Sequence, residues 1–380
     1  MKVDTIPFGI YGNSVGDCNN KEDKSNNDTE TLLVFFINHC SIILNISMKL
    51  FRKLGIDLGT SNSLVWMEGE GVVLSEPTLV AVSTEERRVL AVGNEAREMI
   101  GKTPEYIEII RPLEDGVIAD YEITETILKE FMRKVMGHNW FIGPEVMICV
   151  PASVTQVEQR AVLDAVLGAG ARKAYLIDKP LAAAIGAKIP VSESFGNMIV
   201  DLGGGSTEAA VIALGGVVTH NSGRIGGIKI DKAIMEHIKK EFGVIIGEQT
   251  AENIKIKLGS GVKLKRVETM SVGGRDSLSG LPKTIEVDSD VIYEAIRPML
   301  DQVLEVIRKA LEITPPELLA DIMDRGVVLS GGGSQMRNLN ILFTRELGVC
   351  AHVAIDPQLC VIKGTGLAIE NLETYKRALR

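Results

Sequence analysis

After Lys53 the apolar positions fall into short β-branched runs broken by glycine, and these alternate with stretches of helical spacing. That alternation predicts an α/β fold. LGIDLG, SLVWMEG, GVVLSE and TLVAVS, between residues 54 and 83, read as an opening meander of strands, and EVMICV at 145–150 reads as a later one. The stretch TQVEQRAVLDAVLGAGA opens on Thr155 with Glu158 three positions on. That spacing predicts a capping box and a helix running out at Gly168 and Gly170. KAYLI then predicts a strand, and PLAAAIGA a helix of small residues whose backbone packs closely on a neighbour. A second series follows the same plan: a strand pair around 198–214, helices at about 228–241 and 250–258, and a long helix at about 289–312. Thr314 with Pro315, Pro316 and Glu317 is expected to cap another helix, and GVVLSGGGS reads as a strand entering a glycine turn. Two series in one order imply a duplicated fold with a cleft between its halves.

One phrase is written twice, as IDLGTSNS from Ile56 and as VDLGGGSTE from Val200. A strand, a glycine-rich turn and a second strand expose several backbone N–H groups at one point, and such nests bind phosphate oxygens. Two tips facing each other would clamp a polyphosphate. Asp57 and Asp201 end the first strand of each pair, where carboxylates are suited to hold Mg²⁺ through its water shell. LSGGGS at 329–334 supplies a third glycine turn.

Charge narrows the partners. The net charge is −9 and no basic cluster exceeds KLKR at 263–266, so a nucleic-acid footprint is not expected. The five cysteines are scattered without a C-x-x-C pair, which fits free thiols, and Cys149 lies in an apolar run that predicts burial. The first 47 residues are polar and Asn-rich, then apolar over 32–46, with Asn38, His39 and Ser41 inside that run. The run is short for a membrane span and lacks the flanks of a signal peptide. Residues 1–47 are therefore expected to be an extension outside the fold, with Met48 as a natural alternative start.

The motifs resemble the actin, Hsp70 and sugar-kinase superfamily, and within it the MreB family of bacterial actin homologues, over about residues 53–370. IDLGTSNS and VDLGGGSTE look like its two phosphate motifs, and RGVVLSGGGSQMRNL looks like its adenosine motif. IRPLEDGVIADY, GAGARKAYLI, RIGGIKID, TAENIK and TPPELLADI are closer still to MreB. The resemblance implies a duplicated actin-like (ribonuclease H-like) ATPase fold. Lobe I would comprise 48–200, with a small subdomain at about 83–123 and a C-terminal return at 361–380; lobe II would comprise 201–360, with a small subdomain at about 236–295. It implies ATP and Mg²⁺ as ligands. Thr60, Ser61 and Asn62 would line one phosphate loop, and Gly203, Gly204 and Gly205 the other. Glu252, Asn253, Ile254 and Lys255 would stand at the ribose and base, and Gly331, Gly332, Gly333 and Ser334 under the adenine.

The same resemblance implies a cytoplasmic, membrane-associated protein whose filaments set cell shape by organising cell-wall synthesis. Its partners would be further copies of itself, the inner face of the membrane and cell-wall elongation proteins. Trp140, Phe141 and Ile142 share one loop, and such a loop in MreB-like proteins dips into the bilayer. A small-molecule kinase or phosphatase is the enzyme-class alternative on this fold, and would need a substrate pocket with a general base. A chaperone ATPase would need a substrate-binding region beyond the nucleotide domain.

The chain departs from the family at LIDKPLAAAIG. Asp178 stands for the first of two usual glutamates and Lys179 for the second, the one expected to orient the attacking water. An ammonium has no acceptor lone pair. Ser206 and Glu208, after the second phosphate turn, could still hold a water, as could Asp178 with the helix start shifted by one residue. Slow turnover is therefore expected if Lys179 faces the cleft, and no effect if it faces away.

Overall fold

A computed structural model describes residues 52–114, 116–137 and 142–375. The expectations for the extension 1–47 and for Trp140 and Phe141 lie outside the described residues.

The glycine-broken runs pair into two five-stranded sheets of one topology. The first contains Lys53–Leu58 (β1), Asn62–Met67 (β2) and Gly71–Pro77 (β3). Next along the chain, Val80–Ser83 (β4), Val89–Val92 (β5) and Ile107–Ile110 (β6) form a small antiparallel sheet, and Leu113–Glu114 (β7) pairs with Val117–Ile118 (β8). Glu145–Val150 (β9) and Lys173–Asp178 (β10) return to the first sheet, whose order is β10-β9-β1-β2-β3. There β1, β2 and β3 run antiparallel, and β9 and β10 add in parallel. The second sheet repeats this with Asn197–Leu202 (β11), Thr207–Ala213 (β12) and Gly216–Gly223 (β13). Val244–Ile245 (β14), Thr269–Asp276 (β15) and Pro282–Asp288 (β16) form another small sheet. Val327–Ser330 (β17) and Ala351–Val353 (β18) then complete the order β13-β12-β11-β17-β18, again with three antiparallel strands and two parallel additions. Asp57 and Asp201 hold the same place in their strands, the fifth of six residues.

Each sheet buries one face under its own helix. Ile127, Leu128, Phe131 and Met132 recur at helical spacing along Tyr121–Met136 and pack with Leu54, Ile56 and Val146. Ile296, Leu300, Val303, Leu304 and Ile307 of the long helix Ser289–Glu312 pack with Val200, Val211 and Leu329. Between the sheets lies a third core, in which Trp66 and Met147 of the first sheet and Ile199 and Ile212 of the second meet Leu181, Ile185, Ile362 and Ile369. Those last four belong to the helices Lys179–Gly186 and Cys360–Glu370.

The close approach expected of the small-residue helix is present. A Cβ built on Gly364 would lie 1.7 Å from the Ala182 carbonyl oxygen, and one on Gly186 would lie 1.8 Å from that of Cys360. Backbone meets backbone there, so no side chain fits. Gly366 lies against the Trp66 ring, 2.3 Å from where its Cβ would stand. Glycine lowers intrinsic helix propensity, which hides the helix Cys360–Glu370 from a propensity reading, yet the glycines are what let it dock.

The capping box is formed: the Glu158 backbone N–H donates to Thr155 Oγ1, and the Thr155 N–H donates to Glu158 Oε2 at 2.7 Å. The Thr314 cap is not. Its hydroxyl donates back to the Ala310 carbonyl at 2.6 Å, and the helix Pro316–Arg325 starts on Pro315 with no side-chain cap. Pro316 at the first helical position lacks the N–H that a cap would satisfy.

Candidate functional site: two glycine tips and a lysine among carboxylates

The two hairpin tips face each other. In the second, the Gly203 N–H donates to the Ser206 carbonyl at 2.9 Å and closes the turn. In the first, Thr78 ties the tip down, its hydroxyl donating to the Gly59 carbonyl at 2.6 Å and its N–H to the Ser61 carbonyl at 2.9 Å. A Cβ on Gly204 would stand 2.0 Å from Ser61 Oγ, and one on Gly205 2.5 Å from Thr60 Oγ1. The tips therefore meet with no space for side chains between them, leaving backbone N–H groups and small hydroxyls to meet an anion. Thr60 is buried and accepts from the Gly116 N–H at 3.1 Å, while Asn62 is exposed at the start of β2. The helix Gly227–Phe242 starts on the second tip, where the N–H groups of Gly227 and Ile228 donate to the Gly203 and Gly204 carbonyls.

Behind the tips the strand register gathers carboxylates. Asp201 pairs with Glu208 across β11 and β12, and with Ser330 across β11 and β17. Ser330 Oγ donates to Asp201 Oδ1 at 2.8 Å, and Cys149 Sγ donates to Asp57 Oδ1 at 3.1 Å. Glu208 accepts from the Ala152 N–H through Oε2 at 3.1 Å, and its buried Oε1 has no hydrogen-bond partner. Lys179 points into this cluster: its Nζ lies 3.1 Å from Asp201 Oδ2, with 14% of the side chain exposed, so it does not face away. Burial alone would pull the Lys179 ammonium down, but Asp201, Asp57 and Glu208 outweigh it and hold the group well above its ordinary value. It is charged at neutral pH. Burial raises Asp57, with Lys179 and the Cys149 hydrogen bond opposing. Burial and the Asp57 charge push the Cys149 thiol well up, which keeps it protonated as a donor. Glu208 is pushed up to about 7, chiefly by burial, with Lys179 opposing and the Asp201 charge adding.

These residues do not suit a divalent metal, because the place where Mg²⁺ held through its water shell was expected, at Asp57 and Asp201, already carries a cation. Both Asp201 oxygens are engaged within the protein, and the positive charge facing the pair is already the Lys179 ammonium. Among the described residues no three His, Cys, Asp or Glu side chains are grouped to hold a metal ion.

Of the ribose and base residues, Lys255 is held beside the second tip by an ion pair with Asp231 at 2.9 Å and a bond to the Gly227 carbonyl at 3.3 Å. Asp231, raised to about 6 by burial against the pull of Lys255, is a site residue that the sequence reading missed. Glu252 is half-buried, Asn253 is exposed, and Ile254 is fully buried in the core of the second sheet. Ile254 thus supports the helix Glu248–Leu258 from beneath and does not line the site. At the third turn, Gly331 has φ 82° and lies against the Leu202 backbone, while Gly332 is open to solvent. Ser334 is buried with its hydroxyl donating to the Gly331 carbonyl at 2.7 Å, so it shapes the turn from within. Asp178 is buried at the N-cap of the Lys179 helix, Ser206 is buried at the second tip, and Ile142 is half-buried at the edge of its loop.

Residues 51–377 match the family model described as MreB/Mbl protein. The chain is 45% identical to the cell shape-determining protein Mbl of Bacillus cereus over 330 residues, 87% of this chain and 99% of that protein. It is likewise 45% identical to the cell shape-determining protein MreB of Escherichia coli over 329 residues, 85% of this chain and 95% of that one. The crystal structure of MreB 5 of Spiroplasma citri bound to AMPPNP superposes with a TM-score of 0.82 at 33% identity, covering 86% of this chain and 98% of that chain.

Proposed function

The chain belongs to the MreB/Mbl family, and from that premise we propose that it is an ATP-dependent, actin-like cytoskeletal protein that sets cell shape. The observation that carries the reading is the meeting of the two tips, Thr60–Ser61 against Gly204–Gly205, with Lys179 and Lys255 beside them. Backbone N–H groups at the tips, with one ammonium beside Gly203 and another beside Gly227, suit a triphosphate. The relatives agree: two are named for cell-shape determination and one binds AMPPNP. The triphosphate lies against the paired tips, and the base rests on the turn Gly331–Gly333 with Glu252 and Lys255 at its edge. Lobe I is 48–200 with the return 361–380, and lobe II is 201–360, the small sheets forming the two subdomains.

Bound ATP holds the two halves together, and closed subunits stack into protofilaments. The filaments lie on the inner face of the membrane and organise cell-wall elongation proteins. Among the described residues no helix is long and apolar enough to cross a membrane. Attachment is through the loop carrying Trp140, Phe141 and Ile142. Its aromatic residues suit the interface. The test is co-sedimentation of the ATP-loaded protein with and without lipid vesicles. ATP-dependent pelleting is expected, together with vesicle capture that Trp140→Ser with Phe141→Ser abolishes while ATP binding stays intact. Vesicle capture unchanged in the double variant would remove the loop as anchor, and no ATP-dependent pellet would count against the cytoskeletal reading.

A further inference from the structure

Lys179 is the first residue of its helix, the end at which the macrodipole disfavours a cation. Its ammonium is nevertheless held 3.1 Å from Asp201 Oδ2, and it lies 3.5 Å from where a Cβ on Gly203 would stand, at the wall of the second tip. The charge of Asp57, which holds the equivalent position in the other sheet, adds to the pull on the same ammonium. A divalent ion at this place would neutralise the two aspartates and present positive charge to the phosphates. The ammonium does both, and its covalent tether supplies it without the loss of freedom of a captured ion. A hydrated divalent ion set on these carboxylates would stand beside a fixed like charge where little water screens the repulsion. Ser330 and Cys149 reinforce the arrangement, since their donors hold Asp201 Oδ1 and Asp57 Oδ1 on the protein side.

We propose that the Lys179 ammonium takes the place of a divalent metal ion between Asp57 and Asp201, so that this chain binds the triphosphate of ATP without requiring Mg²⁺. The inference rests on the ATP-binding reading above.

The experiment is equilibrium binding of AMPPNP to the full chain, once with EDTA and once with Mg²⁺ in excess, for the wild type and for Lys179→Met. The wild-type dissociation constants are expected to differ by less than about tenfold between the two conditions, and those of Lys179→Met by about tenfold or more, with EDTA the weaker. A wild type weakened about tenfold or more by EDTA overturns the inference and leaves the ATP reading standing. Absence of binding in both conditions overturns the ATP reading itself. A folded Lys179→Met that binds in EDTA as tightly as the wild type also overturns the inference. Should that variant fail to fold, Lys179→Arg keeps the charge and is expected to keep its affinity in EDTA; its loss there, with binding restored by Mg²⁺, is the contrary result.

Discussion

Phosphate release from ATP is expected to stay near background for the wild type and to rise at least about tenfold in Lys179→Glu, measured with Mg²⁺ in excess. The residue at this position reaches the wall of the second phosphate tip, where a carboxylate would accept a hydrogen bond from water and an ammonium cannot. Losing a positioned base costs a factor of about 10² to 10⁴, so the expected rise is a conservative fraction of what such a group supplies. Glu208 has a buried oxygen without a partner, yet its carboxyl holds its proton up to about pH 7 and cannot serve as a base below that. The expected consequence is slow turnover, so that filaments of the proposed kind would keep ATP and be long-lived. A wild type that already releases phosphate as fast as the variant would show that Lys179 does not stand at the water position.

Stability of the nucleotide-free protein is expected to fall as pH rises from 5 to 7.5, and Glu208→Gln is expected to remove most of that slope. The folded chain keeps the Glu208 proton up to about 7, whereas an unperturbed glutamate carboxyl loses it near 4.5. Between those values the folded state binds more protons than the unfolded one, so the slope of unfolding free energy against pH is negative. Stability is fully present below the unfolded value and is lost on passing the folded one. A shift of this size amounts to on the order of 3 kcal/mol across the window. Asp231, raised from 3.8 to about 6, adds a smaller contribution of the same sign. Urea unfolding at the two ends of the range reads the difference. Equal slopes in the wild type and Glu208→Gln would contradict the account.

The strands and most helices were legible because each carries its own periodicity. Strand β9 coincides with EVMICV, and the capping box at Thr155 and Glu158 forms as spaced. The duplication was legible from one repeated phrase, and Asp57 and Asp201 indeed occupy equivalent strand positions. What lay beyond the sequence was long-range. Which way Lys179 points is decided by Asp201, which belongs to the other sheet and is brought near only when the sheets pack. Asp231 was missed because it lies on a helix between apolar positions and finds Lys255 only across a helix pair. Ile254 was open to a better reading: Ala251, Ile254 and Leu258 recur at i, i+3 and i+7, the buried stripe of their helix. Thr314 failed as a cap because an intact carbonyl at Ala310 lay within reach of its hydroxyl.

Electron microscopy of the full chain with ATP, beside the same protein without nucleotide, tests the central claim most directly. ATP-dependent assembly predicts filaments in the first sample and isolated particles in the second. Isolated particles in both, in a sample shown by binding measurement to be loaded with ATP, would contradict it.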